Sequence, residues 1–159
     1  MNIRPLKHSD YKAIKRIYQE GIDTQLATFE TKVPDWKNWD DKNFPFCRFV
    51  IDLDGQIGGW AALSPVSKRI VYRGVAEVSI YIAEHFRGKG FGKVLLLHLI
   101  QEAEKNGIWT LQSNIFAEND ASLKLHLSVG FRIVGIREKI GQLNGIWKDN
   151  ILLEKRFKL

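Results

Sequence analysis

Arg87-Gly88-Lys89-Gly90-Phe91-Gly92-Lys93 sets three glycines among three basic side chains. Glycines let a backbone turn tightly, remove Cβ atoms that would block a ligand and leave neighbouring N–H groups facing one place. If a helix starts directly afterwards, its positive dipole end makes a phosphate or pyrophosphate the natural guest. Spacing weakens two nucleotide readings. A nucleotide-triphosphate loop needs a hydroxyl residue after its lysine, but Lys93 is followed by Val94. A dinucleotide loop needs G-x-G-x-x-G, whereas Gly88, Gly90 and Gly92 alternate.

The segment fits R-x-x-G-x-G and so resembles the pyrophosphate-binding motif of the Gcn5-related N-acetyltransferase (GNAT) superfamily. The resemblance extends over nearly the whole chain. Ala27-Thr28-Phe29-Glu30-Thr31, Ala76-Glu77-Val78-Ser79-Ile80-Tyr81-Ile82, Asn119-Asp120-Ala121-Ser122, Leu125-His126, Val129-Gly130-Phe131 and Gly145-Ile146-Trp147-Lys148-Asp149 fall in the order seen in phosphinothricin acetyltransferases. That subfamily implies an acetyl-coenzyme A-dependent homodimer acetylating phosphinothricin, methionine sulfone or methionine sulfoximine. It also implies a mixed, mostly antiparallel α/β sheet, helices on both faces, and a splayed strand pair that takes the cofactor.

Direct acetylation of an amine requires a free lone pair, a thioester within reach, a donor for the oxyanion and an acid for the leaving thiolate. By resemblance, backbone groups of Ile80, Tyr81 and Ile82 meet the pantetheine arm and thioester, while Arg87, Gly88, Lys89, Gly90, Phe91, Gly92 and Lys93 hold the pyrophosphate. Glu77, in an otherwise apolar strand, matches the subfamily's glutamate and is the expected general base, acting through water. A structural carboxylate paired to Arg73 or another basic residue is the competing reading. Asn119 can cap a helix and, by resemblance, touch the cofactor. His126 stands where many superfamily members carry a thiolate-protonating tyrosine; it serves as that acid or only packs between Leu123 and Leu127. For the acceptor, Phe29 and Tyr72 match motif positions, and Arg73 is a candidate from its charge and its nearness to Glu77.

The elements that must position these residues alternate between strand and helix. After a strand at 2–4, Ser9 or Asp10 can cap a helix with Ile14, Ile17, Tyr18 and Ile22 at helical spacing. Residues 26–45 read as irregular, broken by Pro34 and Pro45. Strands at 46–53 and 56–63 flank Asp54-Gly55, a hairpin signal, and should pair antiparallel. A strand at 75–82, the glycine loop and a helix at 93–105 follow, then a strand at 109–116 and a helix from the Asn119 cap to Gly130. Strands after Phe131 and around Trp147–Phe157 are joined at Asn144-Gly145.

With 159 residues, 45% of them hydrophobic, the chain suits one domain, residues 1–159. A net charge of +6 favours anionic ligands without choosing among them. Neither a leader-like start nor a run of about 20 apolar residues is present, which predicts a cytoplasmic protein that does not bind membranes. Cys47 alone forms no internal disulfide and reads as a buried hydrophobe in the 46–53 strand. His8, His85 and His98 lack metal-ligand spacing, so no metal is expected. Charge and aromatics also suit a nucleic-acid module, but no nucleic-acid-binding motif accompanies them. The same glycine loop would equally serve an acyl-coenzyme A sensor without turnover, or an enzyme acting on protein or peptide amines.

Overall fold

The computed structural model describes residues 1–158. Seven strands form one sheet in the order β1-β2-β3-β4-β5-β7-β6, where β1 is Asn2–Pro5, β2 Phe49–Leu53, β3 Gln56–Pro65, β4 Val75–Ile82, β5 Thr110–Phe116, β6 Arg132–Leu143 and β7 Ile146–Arg156. Every pairing is antiparallel except β4 with β5. The four α-helices are α1 Tyr11–Asp23, α2 Trp36–Lys42, α3 Phe91–Lys105 and α4 Asp120–Ser128.

Alternation along the strands sends successive side chains to opposite faces. In β3, Trp60 and Ala62 join Ile14, Ile17 and Tyr18 of α1 and Trp39 of α2 in one core cluster. Ala61 and Leu63 join Leu95, Leu96 and Leu99 of α3, along with Leu111 and Leu153, in the other. The helices therefore cover both faces, α1 and α3 through apolar stripes on opposite sides of the sheet. Two hairpins turn where expected: Asp54 and Gly55 have φ of 54° and 92°, and Asn144 and Gly145 have 50° and 80°. Both central residues of each turn lie at positive φ, the requirement of a tight hairpin that follows strand twist.

Three sequence expectations are corrected. Residues 26–45 contain α2, capped by Asp35, whose Oδ1 accepts from Asn38 N at 2.9 Å. Asp10 precedes α1 without capping it, because its carboxylate accepts two 2.9 Å bonds from Arg4 and one of 2.8 Å from Lys7 N. Cys47 is buried but lies before β2 at φ 54°, and burial pushes its thiol up to about 11. No helix among the described residues is long and apolar enough to cross a membrane.

Candidate active site

The parallel ladder between β4 and β5 is short. It pairs Val75 with Thr110, Ala76 with Leu111 and Glu77 with Gln112, and stops there. Beyond Glu77, β4 keeps β3 as neighbour, with Ile80 opposite Ala61, Tyr81 opposite Trp60 and Ile82 opposite Gly59. Its other edge has no strand partner past Glu77, so the two parallel strands part and two adjoining cavities open along the split.

The larger cavity, about 490 Å³, runs from Ile80, Tyr81 and Ile82 to Arg87, Gly88, Gly90, Gly92 and Lys93, with Asn119 and Ser122 on its far side. Gly88 and Gly90 sit at φ 74° and 85°, and a Cβ on either would meet nothing within 4 Å. Gly90 precedes the first residue of α3, so the free N–H groups of the helix's first turn lie at this loop. These features fit a pyrophosphate. Arg87 Nε donates to Ile82 O at 3.1 Å, tying the loop to the end of β4. Lys89 and Phe91 do not line the cavity and lie against Phe86 instead.

The smaller cavity, about 240 Å³, is lined by Phe29, Glu77, Ser113, Asn114, His126 and Asn150, and shares Ala27, Ile80, Tyr81, Asn119 and Ser122 with the larger one. Glu77 is half-buried, and Asn114 Nδ2 donates to its Oε1 at 2.8 Å. Its partner is this amide, and no ion pair with Arg73 forms. His126 is 1% exposed; Nδ1 bonds the Ser122 carbonyl at 2.8 Å, so Nδ1 carries the hydrogen, and Nε2 is buried without a partner. Burial holds the imidazole below its ordinary pKa, opposed by the Ser122 bond. The ring is therefore neutral, with a bare Nε2 that accepts a proton before it can donate one.

Asn119 lies at the junction of the cavities with both ends of its amide engaged. Oδ1 accepts from Ser122 N at 3.2 Å, capping α4, and Nδ2 donates to Leu26 O at 3.1 Å, pinning the loop that carries Phe29. Tyr72 and Arg73 are not brought to these residues: neither lines a cavity here, Arg69 stacks on Tyr72, and Arg73 lies over Trp109. Sequence reasoning misses Ser113, Asn114 and Asn150. The signal that could find them is polar side chains set among apolar ones in two strands, since Asn114 lies between the buried Ser113 and Ile115, and Asn150 is itself buried ahead of Ile151.

Residues 12–131 match the acetyltransferase (GNAT) family. The phosphinothricin N-acetyltransferase of Alcaligenes faecalis is 33% identical, over 96% of this chain and 81% of that protein. The L-methionine sulfoximine/L-methionine sulfone acetyltransferase of Pseudomonas aeruginosa is 30% identical, over 93% and 90%. Among solved structures, yncA of Salmonella typhimurium with its cofactor acetyl-CoA superposes at a TM-score of 0.92, with 26% identity over 100% of this chain and 95% of that one.

Proposed function

The chain belongs to the acetyltransferase (GNAT) family, and from that premise we propose that it moves an acetyl group directly onto the amine of a small amino-acid-like acceptor. Phosphinothricin, methionine sulfone and methionine sulfoximine are the acceptors of this reading, supported by the relatives that carry those names. The observation that carries it is the end of the β4–β5 ladder at Glu77, which opens a polar cavity beside the cofactor cleft.

Acetyl-coenzyme A is the co-substrate and supplies an activated thioester. The glycine loop holds its pyrophosphate, and the unpaired edge of β4 from Val78 to Ile82 offers backbone groups to the arm. Glu77 accepts the ammonium proton, directly or through water, freeing the lone pair for attack. Neutral His126 can take at Nε2 the second proton, which the amine nitrogen sheds as the amide forms, and return it to the departing thiolate. Asn114 fixes the Glu77 carboxylate, and Phe29 forms an apolar wall. We further propose a homodimer, supported by the exposed apolar residues Ile133, Val134 and Ile136 of β6 with Ile146 and Trp147 of β7.

Thiol release from acetyl-coenzyme A, measured with the three amino-acid analogues and with a short peptide amine, tests the reading. The analogues should react, and Glu77→Gln should lose roughly 10²-fold in turnover, the usual scale for removing a general base. Raising the pH should recover part of that loss as the free amine fraction grows. Turnover with the peptide alone would overturn the acceptor class. A Glu77→Gln variant as fast as the parent at every pH would remove the base assignment.

A further inference from the structure

Lys42 is the one lysine or arginine lining the acceptor cavity among the described residues. It also lines a side pocket of about 140 Å³ beyond that cavity, and the two share Tyr18, Glu30 and Ser79. The side pocket is walled by Trp39 and Trp60. Trp60 is 1% exposed and its Nε1–H, a donor, is buried without an acceptor.

A cation in the last turn of a helix is commonly explained by the helix dipole and its free carbonyls. Here Arg48 already fills that role for α2. Its guanidinium donates to Asp40 O and Asn43 O at 2.9 Å each, bonds Phe44 O, pairs with Asp40, and lies 5.2 Å from the Trp39 ring centre. Asn43 Nδ2 adds a bond to Trp39 O at 2.8 Å. Lys42 has no carboxylate within 4 Å among the described residues, although exposed Glu30 lines the same passage.

The main cavity is also lined by acceptors: Glu77, Asn114 and Asn150, whose Oδ1 atoms are unpartnered, and His126, whose Nε2 is unpartnered. Acceptors suit an ammonium group; Lys42 and the indole N–H suit an oxyanion. The lining shared with the side pocket and the rest of the main cavity thus carry opposite preferences.

We propose that Lys42, at the mouth of the Trp39–Trp60 side pocket, is a specificity-determining residue that binds an oxyanion of the acceptor while the amine sits beside Glu77. This rests on the proposed acceptor class and names the chain's own group that reads it. Two sources of the oxyanion are compatible with one cation: the α-carboxylate, or an acid on the side chain.

Steady-state kinetics of the parent, Lys42→Met and Lys42→Arg separate them. Methionine sulfone against its methyl ester reports the α-carboxylate; phosphinothricin against methionine sulfone reports a side-chain acid. In Lys42→Met one of these preferences in kcat/KM should fall about tenfold or more, chiefly through KM, the scale of losing a hydrogen bond to a charged group. Lys42→Arg should keep most of it, and Trp60→Phe, which keeps an aromatic ring and loses the N–H, should weaken the same preference. Both preferences unchanged in Lys42→Met would overturn the proposal. Calorimetric titration of the protein–coenzyme A complex with phosphinothricin and with methionine sulfone gives a readout independent of turnover. Binding that weakens in Lys42→Met supports the subsite even if no acetylation occurs, whereas parent-like affinity, or no binding to the parent, overturns it. Absence of turnover with every analogue, by contrast, defeats the acceptor class.

Discussion

At the scale of single residues, His126 couples the acceptor cavity to stability. Its imidazole is held below the ordinary value near 6.5, first by burial. The unfolded chain therefore binds a proton at this ring before the folded one does. Stability from this group is complete above about pH 6.5 and drains as pH falls toward the folded value. The carboxyl of Asp10 is also lowered, chiefly by its hydrogen bonds to Arg4, but from 3.8, so its contribution is lost in a more acidic range. Melting temperature should consequently fall between pH 7 and 5, and His126→Gln should flatten that slope. An NMR titration of the ring should place its midpoint below the ordinary value; a midpoint at or above it would contradict the account. Single residues also mark where sequence reasoning fails. Nearness in sequence to Glu77 makes Arg73 a candidate, but Arg73 closes a 3-10 turn over Ile70–Tyr72 ahead of β4, which begins only at Val75. Moreover, the cavity opens from Glu77 toward Ile82, away from Arg73.

Elements are more legible where their ends carry strong backbone demands. The two hairpins, the Asn119 cap and the strand–glycine loop–α3 unit all follow from residues that tolerate positive φ or that satisfy free N–H groups. Helix α2 escapes a sequence reading because seven residues give too little periodicity, with Trp39 its one buried side chain, and because Pro34 and Pro45 bracket the helix rather than break it. The glycine loop allows a test that separates backbone strain from ligand loss. Gly90 and Gly55 lie at φ 85° and 92°, and a Cβ on either meets nothing within 4 Å. Valine at either position should therefore destabilise through its left-handed backbone, by about 1–2 kcal/mol or more. Of the two, only Gly90 lines the cofactor cleft. Acetyl-coenzyme A should raise the melting temperature of the parent and of Gly55→Val by mass action, and should fail to do so for Gly90→Val. Equal shifts in both variants would remove the loop from the cofactor site.

At the scale of the whole molecule, the sheet is unequally protected. Its central strands are covered by helices on both faces, but β6, at one edge, exposes Ile133, Val134 and Ile136, with Ile136 at 62%. The β6–β7 register shifts between Ile133 and Gly135, so Val134 lies in a bulge at this edge and adds its exposed side chain to those of Ile133 and Ile136. At the turn end of the same hairpin, opposite Leu143 and Gln142, the exposed Ile146 and Trp147 begin β7, whose following residues are occupied internally: Lys148 bonds both oxygens of Glu118 at 3.1 Å, and Asp149 accepts from Lys139 N at 2.7 Å. The first of these ties the hairpin to the loop before α4 and the second ties its two strands together, so its apolar surface is presented on a fixed frame. A long apolar edge exposed to water invites pairing with another chain. In the proposed homodimer a second copy covers it, and pairing of one patch with itself is closed, leaving no edge for open-ended association. Light scattering after size exclusion should give the mass of two chains for the parent. Ile136→Asp, at a position that buries little within one chain, should give the mass of one chain at the same concentration while keeping the far-ultraviolet circular dichroism of the parent. A parent with the mass of one chain across the micromolar range would rule out the dimer, and an Ile136→Asp variant that stays dimeric would move the interface away from β6.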